Sequence, residues 1–150
     1  MADRIYLMRA GKIVQSGAPQ ELYYRPADLF AASFFSRVNE LRGVVREGHV
    51  ESPVGRLCAP DQPEGARVVV TFRPEAVALS HARGDETGSL NVQVQDTHFL
   101  GTGWVVHVLV KDAAGQDVKL SIRLHGRPPK AGERVALRVP PEAILMFPET

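Results

Sequence analysis

The sequence predicts a mainly β protein: a small antiparallel β barrel or sandwich, preceded by a β-hairpin and two short helices. Three observations carry this reading. Apolar and polar residues alternate with period two in four C-terminal segments, the pattern of half-buried antiparallel strands. Short β-type runs punctuated by glycine turns extend over about 110 residues, which suits a small barrel or sandwich. The first 36 residues differ: two apolar runs flank one glycine, and proline-led helical spacing follows.

Arg4 to Arg9 and Lys12 to Gln15 are the first two β-type runs, with Gly11 accepting the positive φ of the turn. Pro19 is pre-organised for a first helical position, and Glu21 suits the dipole of the first turn. Pro26 ends that helix. A second is expected from about Ala27 to Phe35, with Leu29, Phe30, Ser33 and Phe34 on one side. From about Arg37 the texture is strand and turn. Leu41 to Glu47 and His49 to Ser52 flank Gly48, Gly55 to Ala59 precedes a proline-rich turn, and Ala66 to Phe72 is a strong β run. A polar loop at Arg83 to Gly88 follows. The alternating segments are Leu90-Val92-Val94, Trp104-Val106-Val108-Val110, Val118-Leu120-Ile122-Leu124 and Val135-Leu137-Val139. No internal repeat stands out.

Composition narrows the function classes. The 150 residues are 44% hydrophobic and 23% charged, enough for a buried core, and the net charge of +1 gives no global attraction to nucleic acid or anionic membrane. No run approaches the roughly 20 apolar residues of a membrane span, and the start lacks the apolar segment of a signal peptide. Cys58 is the single cysteine, so no intrachain disulfide forms, in keeping with a reducing, cytoplasmic setting. It is expected to be a buried small hydrophobe on its strand.

Motifs for catalysis are missing. The five histidines are widely separated and none has helical ligand spacing, so no metal site is expected. No serine sits in a Gly-x-Ser-x-Gly elbow. A phosphate-cradling loop needs Gly-x-x-x-x-Gly-Lys-Ser/Thr; only Lys12 of the four lysines follows a glycine, and Ile13 follows it. The chain as given is expected to have no catalytic residues, no cofactor and no nucleotide hydrolysis.

The order of several short motifs is more specific than any one of them. Ala2-Asp3-Arg4-Ile5, Met8-Arg9-Ala10-Gly11-Lys12-Ile13, Gly17-Ala18-Pro19, Glu21-Leu22-Tyr23 and Arg25-Pro26 closely resemble the end of an importer-type ABC-transporter ATPase domain. Ala31 to Phe35 is similar to that family's next helix, and Asn39-Glu40-Leu41 to the start of its following domain. Phe72-Arg73-Pro74-Glu75, Phe99-Leu100-Gly101, Gly132 to Leu137 and Ile144 to Phe147 resemble the successive motifs of a C-terminal TOBE domain, an OB-like β barrel.

The resemblance implies residues 1–36 as the tail of the ATPase domain and residues 37–150 as the TOBE domain. It also implies a parent protein: the ATP-binding subunit of an iron, polyamine or sugar importer, using ATP and Mg. Two copies would act against transmembrane permease subunits, fed by an external substrate-binding protein, on the cytoplasmic face of the inner membrane. The ATPase motifs are expected upstream of Met1, which then reads as an artificial start. This region's role would be regulatory and dimerising; a free-standing small-oxyanion-binding barrel is the alternative. The family usually has Thr or Ser where this chain has Ala18. Losing that helix-capping hydroxyl costs roughly 0.5–2 kcal/mol.

The implied site residues are Arg73, Pro74 and Glu75 at a corner, Asn39 and Leu41 where the domain starts, and Gly101 and Trp104 at the central hairpin. Arg73 is available to hold a ligand or partner. The mechanical reading is favoured, because a proline lacks an N–H and takes the strand out of its ladder there. Lys119, Arg123, Arg134 and Arg138 form an anion or partner surface if their strands are neighbours. No aromatics interleave with them, so nucleic acid is not expected. Residues 1–36 carry the apolar Ile5, Leu7, Ile13 and Val14 on a strand pair with bare edges, so the chain is expected to form a homodimer partly through them.

Overall fold

The computed structural model describes residues 3–80 and 89–149. The polar loop at Arg83 to Gly88 and His81 lie outside the described residues. The chain divides into two compact units, Met1–Val38 and Asn39–Thr150.

In the first unit, β1 (Ile5–Arg9) pairs antiparallel with β2 (Lys12–Gly17). Ala10 and Gly11 both take positive φ (51° and 78°), as a tight two-residue turn requires. Helix α1 (Pro19–Tyr24) starts at Ala18, which makes no side-chain cap, as the missing hydroxyl implies. Helix α2 (Leu29–Phe35) begins two residues later than expected, because Asp28 caps it by accepting from the Ala31 amide at 2.8 Å. Its buried residues are Ala31 and Ala32, while Ser33 and Phe34 are exposed, unlike the predicted apolar side. Gln15 ties the segment between the helices, donating to the Arg25 carbonyl at 2.9 Å and accepting from the Ala27 amide at 2.8 Å. Leu7, Leu22 and Ala31 form this unit's small core.

The second unit is built from β3 (Asn39–Arg46), β4 (His49–Ser52), β5 (Gly55–Cys58), β6 (Arg67–Phe72), β7 (Ala78–Ser80), β8 (Leu90–Phe99), β9 (Trp104–Lys111), β10 (Asp117–Leu124), β11 (Arg134–Arg138) and β12 (Leu145–Pro148). They form two curled five-stranded antiparallel sheets, ordered β12-β6-β3-β4-β5 and β7-β11-β8-β9-β10. This is the expected OB-like β fold, and one apolar core draws on both sheets, from Leu41 through Val139. Cys58 lies on an edge strand and is exposed, which corrects the expectation of burial; its neighbour Leu57 points to the core instead.

The two sheets repeat one plan. Strands β3, β4, β5, β6 and β7 correspond in order to β8, β9, β10, β11 and β12, and the last strand of each set lies in the sheet of the other. The register corresponds as well: Leu41 pairs with Val70 in β6 as Leu90 pairs with Leu137 in β11. Met146 pairs with Val70 as Leu79 pairs with Leu137. Each crossing is made by a one-turn 3₁₀ helix with the same three residues, Pro74–Ala76 and Pro141–Ala143, both Pro-Glu-Ala. An internal repeat is therefore present where the sequence showed none, because little beyond those three residues is shared.

Candidate functional site

The corner residues sit where a strand changes sheets. Phe72 ends β6, Arg73 is extended (φ −81°, ψ 148°), and Pro74 opens the 3₁₀ turn closed by the Ala76 amide on the Arg73 carbonyl at 3.0 Å. Proline favours this geometry on both counts: it fixes its own φ and disfavours helix at the residue before it. Arg73 and Pro74 are buried, Glu75 is exposed, and neither Arg73 nor Glu75 is without an interaction partner.

Asn39 and Leu41 open β3 at the other end of the same sheet pair. Leu41 is fully buried in the core. Asn39 is buried too, and its amide donates to the Ser121 carbonyl and accepts from the Ser121 amide, each at 2.8 Å. Ser121 lies on β10, the edge of the second sheet. A side-chain amide carries the same donor and acceptor as a peptide group, so Asn39 acts as one residue of a strand partner for β10 and joins the sheets across their open edge.

At the central hairpin β8 and β9 are connected through Leu100 to Gly103. Gly101 takes φ of 84°, and a Cβ on Gly103 would come within 2.6 Å of the Leu124 carbonyl oxygen, so the chain passes too close for a side chain. Trp104 packs against Phe99, its partner across the ladder, with ring centroids 5.1 Å apart.

The four basic residues do not form one stripe. Lys119 and Arg123 are exposed on β10 and Arg134 and Arg138 on β11, with β9 and β8 lying between. The condition on which the joint surface rested is not met. Arg134 instead shares a shallow cleft with Asn91, Gln93 and Lys111.

One constellation escaped sequence reasoning. A bulge in β8 between Val94 and Asp96 shifts the register, so Val94 pairs with Val108 and Asp96 with His107. Without it, strict alternation from Val92 and Val94 would turn Asp96 toward the core; the extra residue flips the face and turns Asp96 and His98 outward together. The Asp96 carboxylate accepts from His107 Nδ1 at 2.6 Å and lies 3.1 Å from His98 Nε2. The hydrogen bond from His107 holds the Asp96 carboxyl below the ordinary aspartate range, against an opposing effect of desolvation. The charges of His107, His98 and Lys119 act in the same lowering direction. The available signal was Asp96-x-His98, two residues apart on one strand face; His107 becomes adjacent only through the bulged register.

Comparison with known proteins places these elements in a family. The chain is 33% identical over 159 residues to the spermidine/putrescine import ATP-binding protein PotA of Pseudomonas fluorescens, covering 98% of this chain and 42% of that protein. It is 30% identical to the Fe(3+) ions import ATP-binding protein FbpC of Escherichia coli, covering 98% of this chain and 41% of that protein. A third relative, the sn-glycerol-3-phosphate import ATP-binding protein UgpC of Chromohalobacter salexigens, is 32% identical over 93% of this chain and 38% of its own length. The chain thus spans about two fifths of the length of these relatives. Among solved structures, the cytoplasmic molybdate-binding protein ModG shares the fold, with a TM-score of 0.50 at 14% identity, over 78% of this chain and 99% of that one. The TOBE domain family matches residues 70–147, from the strand before the first Pro-Glu-Ala crossing to the strand after the second, and the chain belongs to that family.

Proposed function

We propose that this chain is the C-terminal regulatory and dimerisation region of the ATP-binding subunit of an ABC importer. The observation that carries the reading is coverage. Similarity to import ATP-binding proteins takes in 98% of the chain, so it includes the hairpin and helices of the first unit as well as the barrel. Residues 1–36 are then the tail of the ATPase domain and residues 37–150 the TOBE domain. ATP and Mg belong to the remainder of the parent, which energises uptake of a solute delivered by an external substrate-binding protein through permease subunits, from the cytoplasmic face of the membrane. No helix among the described residues is long and apolar enough to cross a membrane itself. The relatives' names make a polyamine, ferric iron or a phosphorylated polyol the classes of solute to test.

Dimerisation is supported by the first unit. Among the described residues its sheet has two strands, and Tyr6, Met8 and Ile13 are exposed on it. Open strand edges carrying apolar side chains pair readily with a second chain. Sedimentation velocity at low micromolar concentration is expected to show a dimer, shifted to monomer by Met8→Lys with Ile13→Lys. A clean monomer of the unaltered chain would falsify the dimerising role.

The second reading, a small-oxyanion-binding barrel, is favoured by the fold shared with a molybdate-binding protein. Calorimetry with molybdate, sulfate and phosphate separates the two. The importer reading expects no heat of binding; a tight stoichiometric complex supports the oxyanion barrel.

A further inference from the structure

We infer that Asp96, His98 and His107 form a binding site for one divalent transition-metal ion of the zinc, nickel and copper class. The donor set comes first. Two imidazoles with one carboxylate suit borderline metals, whereas magnesium and calcium favour all-oxygen sites. Asp96 Oδ1 lies 2.6 Å from His107 Nδ1 and 3.1 Å from His98 Nε2, and one ligand atom from each residue falls within 4.8 Å of the other two. Tetrahedral zinc with bonds of about 2.0–2.2 Å sets its ligand atoms roughly 3.3–3.6 Å apart. Rotamer adjustments of under about an ångström therefore open the cluster around an ion.

The support is rigid. All three side chains project from paired strands in the same sheet, Asp96 facing His107 directly and His98 two residues further along β8. Sites on strands hold their ligands more closely than sites on loops. The His98 and His107 rings already pack edge to face, with centroids 5.7 Å apart. His107 is largely covered, its side chain 15% exposed, while that of His98 is 62% exposed. The cluster thus has one anchored ligand and an open outer side, where water completes the coordination. In the metal-free form His107 Nδ1–H donates to the carboxylate. An ion bound at Nδ1 takes the place of that proton: a neutral imidazole carries its N–H on Nε2 instead, and an imidazolium gives up one proton to solvent. Lys119 is a neighbouring cation whose charge acts on Asp96 and opposes a bound ion.

The test uses the full, untagged chain after chelator treatment, in a Cys58→Ser background. That background matters because exposed Cys58 pairs across the ladder from His49 and offers zinc a competing thiolate. Calorimetry with zinc chloride is expected to show one ion per chain, with affinity reduced at least tenfold by each of Asp96→Asn, His98→Asn and His107→Asn. The exposed His98→Asn variant keeps the fold, as circular dichroism will check, so its loss of binding reports on ligation. Trp104, the chain's single tryptophan, pairs with the residue next to His98. Saturable quenching of its fluorescence by nickel, abolished in His98→Asn, is the second expected result. Absence of saturable zinc binding below millimolar concentration, or stoichiometric binding that His98→Asn and His107→Asn leave unchanged, overturns the site.

Discussion

Asn39 shows how one residue can close a fold. Its amide satisfies both backbone groups of Ser121 on an edge strand. Asn39→Ala leaves that amide and carbonyl without partners, at about 1–3 kcal/mol for such groups. A loss near 2 kcal/mol corresponds to a fall in Tm of roughly 10 °C for a domain of this size. Asn39→Asp preserves shape but turns a donor into an acceptor against the Ser121 carbonyl, so it is expected to destabilise at least as much. Thermal melts of both variants check this; an aspartate variant as stable as the parent chain would remove the hydrogen bonds from the account. Residue identity was the legible part of this role. The resemblance marked Asn39 as the start of the barrel, but its partner lies on a strand 82 positions away, and no local pattern encodes that contact. The metal-ligand cluster was hidden for a related reason. Its two β8 members share a strand face in plain sequence, while the third depends on a bulge that no glycine or proline announces.

Elements were legible wherever a hydrophobic period was long enough to count. The strands from β8 to β11 follow the predicted alternation over most of their length, broken at the β8 bulge and at Ala136, which is buried between Val135 and Leu137 on β11, and helix α2 departs from expectation at its start. Strand β3 shows what periodicity omits. It pairs with β6 from Asn39 to Val44 and with β4 at Val45 and Arg46, so it must bend from one neighbour to the other. Gly43 sits before that bend, and a Cβ there would collide with the Val50 Cγ1 on β4. Overpacking of this kind costs typically about 1–3 kcal/mol. Gly43→Ala is therefore expected to lower stability by that order, and Val50→Ala to lower it through the lost core methyls. Combined, the two are expected to cost less than their sum by at least about 0.5 kcal/mol, because the second deletion makes room for the first. Urea denaturation of the four proteins in the cycle measures this coupling, and strict additivity would show that Gly43 serves the bend by its conformation rather than its size.

At the scale of the whole molecule, the duplicated sheet plan explains why the barrel needs no help from the hairpin unit to define itself. Each half sends its last strand into the other's sheet through a Pro-Glu-Ala turn, so neither half is a complete sheet alone. The exchange makes the halves interdependent and the barrel a single cooperative object. Its core draws on the chain from Leu41 to Met146, whereas the buried core of the first unit is Leu7, Leu22 and Ala31. A piece of under about 40 residues with so little to bury falls below the size that folds unaided. Residues 39–150 expressed alone are accordingly expected to fold, to melt in one cooperative transition within about 5 °C of the full chain, and to sediment as a monomer. Residues 1–38 as a peptide are expected to show the circular dichroism of a coil. Should the isolated barrel remain dimeric, the association surface lies on the sheets instead of the hairpin; should it fail to melt cooperatively, the first unit contributes to the barrel's stability in a way its own small core does not show.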